Sequence, residues 1–186
     1  MRIAVRLGLC TLCAVTTALH PAEKSTQTLC VADEKPLFSC RVDFNHVVGG
    51  KLLAGKKTVS VCASPDLSPS AGYLKYRFGR SQQNVELSYP ADTGPPRQHF
   101  QFFRDSLSAK ASAEQLSFST GAFSYIVFVE RAAYEWNGSG VLVKSRGKMI
   151  AYFPCDQDRP LPDRLYDLDG LGLPPAEYDD IQAELR

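Results

Sequence analysis

The side chains able to do chemistry in this 186-residue chain are few, and their spacing offers no catalytic constellation. His20 falls at or before the expected export cleavage, so His46 and His99 are the histidines left for acid–base work. Each adjoins an alternating apolar stretch, where an imidazole reads as a strand-end residue rather than a base. No Gly-x-Ser-x-Gly surrounds a serine, so the nucleophile elbow is missing. Gly138-Ser-Gly140 lacks the lysine and following helix of a phosphate-cradling loop. Two carboxylates could hydrolyse a glycoside, but the sequence singles out no pair. Asn137-Gly-Ser139 matches a glycosylation acceptor and also reads as a turn. The chain is therefore expected to be non-catalytic, with no cofactor.

The cysteines carry more information. Cys10 and Cys13 lie in an apolar N-terminal run, leaving Cys30, Cys40, Cys62 and Cys155. No Cys-x2-Cys remains among these four and no histidine stands at ligand spacing, so no metal site is expected. In an oxidising compartment four cysteines imply two disulfides, with three connectivities open. Cys40 and Cys62 sit in stretches that read as neighbouring strands, which makes them the preferred local pair. Cys30–Cys155 would then tie the start of the domain to its last strand. Pairing would also remove any free thiol nucleophile.

The compartment follows from residues 1–21. Arg2 and Arg6 form a basic head, and Leu7 to Leu19 run without a charge. That is the plan of a secretory signal peptide, with cleavage after Ala18 or Ala22. Thirteen apolar residues are too few to cross a bilayer, which takes about 20. A periplasmic or secreted protein without a membrane span is expected.

Composition bounds the rest. A 44% hydrophobic share with 22% charged residues excludes a disordered chain, and a net charge of +1 argues against nucleic acid as a partner. The near-neutral total averages unlike parts. Residues 156–186 contain nine acidic side chains and three arginines, whereas residues 22–155 carry about +5. Three segments are expected: a signal peptide (1–21), a β-domain (22–155) and an acidic, Pro-containing tail (156–186). Pro174-Pro175 reads as the first turn of a helix of about ten residues, marginal unless Tyr178, Ile181 and Leu185 pack on the body.

The body alternates with period two. Leu37–Phe44, Thr58–Cys62, Tyr73–Phe78 and Asn84–Tyr89 read as strands, with Gly49-Gly50 and Gly55-Lys56-Lys57 punctuating the first connection. His99–Arg104 reads as a further strand. Ser106–Gln115, polar and alanine-rich, reads as a loop or a helical turn. Phe123–Glu130 is the most apolar segment and should be a central strand buried on both faces, joined to Leu116–Ser119 through a Thr120-Gly121 hairpin. Ser145-Arg-Gly147 joins Val141–Lys144 to Lys148–Phe153 in another tight hairpin. Many short strands argue for an all-β fold, a small antiparallel β-sandwich or barrel with disulfides and a short C-terminal helix or acidic tail.

Two arginine–aromatic runs are candidate contact residues. Tyr76-Arg77-Phe78-Gly-Arg80 and Arg97-Gln-His-Phe-Gln-Phe-Phe-Arg104 combine side chains that anchor protein interfaces. In the blander reading Tyr76 and Phe78 are core and Arg77 lies on a solvated face.

Phe38-Ser-Cys40, Val-Ser-Val-Cys62-Ala-Ser, Tyr76-Arg-Phe-Gly-Arg80 and Val85-Glu-Leu-Ser-Tyr-Pro90 resemble a group of exported bacterial proteins. That likeness implies a periplasmic β-rich domain and no assigned activity. Ser117-Phe-Ser-Thr-Gly121-Ala-Phe-Ser-Tyr125 is more loosely similar to the Ser/Gly…Tyr loop of bacterial periplasmic lysozyme inhibitors. Those are small disulfide-linked β-proteins that insert a loop into the lysozyme cleft. The family places Ser directly before Gly with a shorter step to Tyr, whereas here Thr120 intervenes. The likeness implies a partner-blocking role for Ser119, Gly121 and Tyr125, with Arg77, Arg80 or Arg104 near the partner's carboxylates. A basic body repels a basic enzyme at long range, so the acidic tail would have to lie at the contact. The competing expectation is a structural or envelope-interaction domain. Whether the 119–125 loop projects or is covered by the tail discriminates the two.

Overall fold

The computed structural model describes residues 28–48, 51–132, 137–156 and 164–186, without the side chains of 45–48, 51–53 and 107. The expected signal peptide lies outside the described residues.

Among the described residues, nine antiparallel strands follow one another as a meander divided into two sheets, a small all-β sandwich. The first sheet has the order β1-β2-β3-β4, from β1 (Lys35–Val48), β2 (Lys51–Ala63), β3 (Leu74–Ser81) and β4 (Asn84–Tyr89). The second has the order β5-β6-β7-β8-β9, from β5 (Gln101–Ser108), β6 (Ala111–Thr120), β7 (Phe123–Ala132), β8 (Gly138–Ser145) and β9 (Lys148–Pro154). Period-two alternation sends one set of side chains inward. Val59, Val61, Leu74 and Tyr76 from the first sheet pack on Leu116, Phe118, Val127, Val129, Val141 and Val143 from the second. Leu165 and Leu168, in a 3-10 turn, plug the same core. Along one seam β1 meets β9, through a Val42–Cys155 bridge and an Asp156 N–H donated to the Arg41 carbonyl.

The disulfides join Cys30 to Cys62 and Cys40 to Cys155, the reverse of the expected assignment. The pleat supplies the reason. In the β1–β2 register Cys40 stands opposite Val59, on the inner face, whereas Cys62 is two steps from Ser60, on the outer face. Side chains on opposite faces of a sheet cannot bond to each other. Cys62 therefore takes Cys30 from a segment crossing the outer face, and Cys40 takes Cys155 across the seam.

That N-terminal segment explains an unusual set of buried polar groups. Ser39, Ser60 and Thr58 are buried on the outer face of the first sheet. Ser60 Oγ accepts the Leu29 N–H at 2.9 Å and pairs with Ser39 Oγ at 2.8 Å. Burial of Ser39 and Ser60 there is tolerated because their hydroxyls are satisfied.

Other expectations are adjusted. Gly55-Lys56-Lys57 lies inside β2, paired with Phe44, Asp43 and Val42, and does not interrupt it. Ser106–Gln115 forms the β5–β6 hairpin, neither a long loop nor a helical turn. The C-terminal helix α1 (Ile181–Glu184) is a single turn, capped by the Asp180 carboxylate accepting from Ala183 N. Pro174-Pro175 is extended, with Pro175 bridged in parallel to Phe102, and does not start it. Among the described residues no helix is long and apolar enough to cross a membrane.

Candidate binding site

The β6–β7 hairpin is built by its turn. Thr120 pairs with Phe123, leaving Gly121 and Ala122 as the two central residues. Gly121 has φ +59°, which a two-residue turn with glycine at its first central position requires. A Cβ at Gly121 would meet nothing within 4 Å, and Gly121, Ala122 and Phe123 are all exposed. Phe123 keeps 42% of its surface in solvent. The tip therefore projects, and the tail does not cover it.

Below the tip, the outer face of the second sheet carries a polar row. Ser119 pairs with Ser124, Ser124 pairs with Lys144, and the two serine hydroxyls lie 3.0 Å apart. This row borders an open cleft of about 740 Å³. Its opposite wall is the 3-10 turn containing Arg97 together with tail residues Glu177 and Asp179. Lys144 pairs with both Asp179 and Glu184. Burial opposes its charge, but these carboxylates outweigh burial and hold its pKa above the ordinary lysine value. His99 also lines the cleft, with Nε2 3.0 Å from Asp92 Oδ1.

The structure does not gather the six sequence-derived contact residues into one site. Ser119 and Gly121 belong to the hairpin. Tyr125 faces inward, its ring stacked on Phe118 at 4.9 Å and 6.1 Å from Tyr76, which is core packing. Arg77 lies on the far side of the sandwich, its guanidinium bound to both Glu34 oxygens at 2.5 and 2.9 Å. Burial alone would raise the Glu34 pKa, but Arg77, the Val31 N–H and Tyr73 outweigh it and hold the carboxyl below its usual range. Arg80 is exposed on β3, 3.9 Å from Glu86. Arg104 is opposite Glu114, six residues from the hairpin end of β6 (roughly 20 Å along a strand), and pairs with Asp169 at 2.7 Å.

Cys30, Glu34 and Cys62 also converge within 4.8 Å, as a metal site would. The two sulfurs are bonded to each other and the carboxylate is taken by Arg77, so the cluster is structural. Asn137, the glycosylation candidate, closes the β7–β8 connection: its side chain accepts from Ala132 N at 2.7 Å and donates to Ala132 O at 3.0 Å.

Sequence reasoning missed Gln115, Glu130 and Lys144, which hold the tail. Gln115 lies 64 residues from the Asp179 backbone it contacts, and no local pattern signals that meeting.

No family model, curated protein or solved structure matches this chain.

Proposed function

We propose that this is an exported, non-catalytic binding protein whose β6–β7 hairpin enters a concave site on a partner protein and occludes it. The observation that carries the reading is the projecting Gly121-Ala122-Phe123 tip, with Glu177 and Asp179 of the tail lining the cleft at its base. An exposed aromatic beside a rigid two-residue turn is a preorganised anchor, and such anchors dominate interface energetics. The exposed carboxylate of Glu177 supplies an acidic contact for a basic partner despite a basic body, Asp179 being already paired with Lys144. Two disulfides fit an oxidising compartment outside the cytosol. A lysozyme-like muramidase, with its concave cleft, is the partner this arrangement suits.

The test is inhibition of several lysozyme types by protein comprising residues 22–186, alongside Ala122→Arg and Glu177→Lys. Ala122→Arg adds bulk at the tip without touching the glycine that forms the turn. Inhibition of one type, weakened at least tenfold by Ala122→Arg, is the expected result. Failure against every type, or equal potency of the variant, would overturn the occlusion mechanism.

A further inference from the structure

The outer face of the second sheet is covered by the chain's own last thirteen residues, and the sheet holds them as it would hold a bound peptide. Phe102 N donates to the Pro174 carbonyl at 2.9 Å, and Ala176 N donates to the Phe102 carbonyl at 3.1 Å, so the segment enters as a short parallel strand on the β5 edge. Gln115, almost wholly buried, then acts as a surrogate backbone. Its amide donates to the Asp179 carbonyl at 2.6 Å, and its oxygen accepts from the Asp179 N–H at 2.9 Å. Lys144 takes the carboxylates of Asp179 and Glu184. Two residues beyond Asp179, Ile181 drops into a socket of Ile126, Phe128 and Leu142, flanked by Met149 and Tyr152. Tyr178 lies against Phe103, ring centroids 5.1 Å apart, with its hydroxyl 3.3 Å from Glu130.

We propose that this sheet face is a docking site for an acidic peptide with an aliphatic residue two positions after an aspartate, and that residues 174–186 occupy it in cis. The reading groups all sit on the sheet: a backbone clamp at Gln115, a cation at Lys144 and an apolar socket. Edge pairing supplies affinity and the socket supplies selectivity, as in strand-addition recognition.

The occupant adds little structure of its own. Its only helix is the four-residue α1, and Ile181 is its one fully buried apolar side chain, with Tyr178 and Leu185 still exposed. The chain leading to it passes Gly170 and Gly172, at φ +80° and +66° with open space around both. Leu165 and Leu168 anchor the chain in the core and Leu171 and Leu173 pack against it, so the segment from Pro174 onward can leave without opening the sandwich. A tethered occupant competes through effective concentration, and a partner peptide present at sufficient concentration displaces it.

The probe is a fluorescein-labelled synthetic peptide of residues 174–186, titrated against the full chain and against a chain ending at Leu173. Saturable binding to the shortened chain, at least tenfold tighter than to the full chain, is expected. Lys144→Glu in the protein, or Ile181→Asp in the peptide, should each weaken it tenfold or more. A second peptide keeps Asp179, Ile181 and Glu184 at their spacing, with the other side chains replaced by serine or alanine, and should bind within tenfold of the first. Should the shortened chain lose its β-sheet circular dichroism, full-length Ile181→Asp serves as the open form. Absence of binding to a folded open form, equal binding of a scrambled peptide, or failure of the second peptide would each overturn the proposal. The outcome is independent of the lysozyme assay.

Discussion

The pair Glu34–Arg77 and the carboxyl of Glu130 present two opposite solutions to burying a charge. Glu34, at 1% side-chain exposure, meets a guanidinium in bidentate geometry beneath the N-terminal segment. Removing one partner of such a pair typically costs about 3–5 kcal/mol, because the other is left buried and uncompensated. Arg77→Met is therefore expected to lower urea-unfolding stability by that order. Because the folded pKa of Glu34 lies below its ordinary 4.5, its contribution is present above that value and is lost as pH falls through the folded pKa. Glu34→Gln should accordingly show a shallower loss of stability than the unmodified protein between pH 6 and pH 3. Glu130 has the opposite sign. Burial raises its pKa, and the hydrogen bonds from Tyr178 and Gln115 offset only part of the shift. Its contribution is present below 4.5 and is lost as pH rises through the raised folded value. Glu130→Gln should thus match or exceed the unmodified protein in thermal midpoint at pH 8 and lose that advantage at pH 4.

Strand patterns were legible wherever one face met the apolar core. Leu74, Tyr76 and Phe78 alternate with charged neighbours, and β3 follows them. Phe123–Glu130 became the central strand β7, buried on both faces from Ile126 to Glu130. The β5–β6 hairpin was missed because its inward positions are charged at that end: Arg104 and Arg131 flank Glu114 in place of aliphatic side chains. An alternation of small and charged residues carries no hydrophobic signal, although the backbone pairing is regular. The β3–β4 hairpin allows a sharper test. A Cβ on Gly79 would stand 2.3 Å from the Asn84 carbonyl oxygen and 2.8 Å from the Val85 Cα, at the register shift in that pair. Backbone cannot yield as a side-chain end does, so Gly79→Ala should cost about 1–3 kcal/mol by chemical denaturation. Gly55→Ala in β2, where a Cβ meets nothing within 4 Å, is the matched control and should be near neutral.

The two disulfides tie the sandwich together at different ranges. Cys40–Cys155 closes 115 residues and joins β1 to the residue that follows β9, whereas Cys30–Cys62 closes 32 and holds a covering segment. In the chain-entropy model these loops are worth about 5 and about 4 kcal/mol respectively. Replacing Cys40 and Cys155 together by alanine should therefore lower the thermal midpoint further than replacing Cys30 and Cys62. The reverse order would show that the N-terminal cover contributes more than the seam. Charge is organised at this range as well. The acidic end lies on the body through Lys144, Arg104 and Lys35, which pair with Asp179, Asp169 and Asp167.

Composition, alternation and cysteine count by themselves determined an all-β chain with two disulfides, a glycine-turned hairpin and an acidic end. These are local or summed properties, and period-two burial writes them into consecutive residues. Which cysteines pair was decided only by the register of β1 on β2, since one step of pleat sends a side chain to the other face. The same holds for the tail. The tail's residues were visible, but Gln115, Lys144 and the Ile126–Phe128–Leu142 socket that receive Asp179 and Ile181 lie 35 to 64 residues away in the chain. Such contacts leave no periodic trace in sequence, and only the packed sheet brings them together.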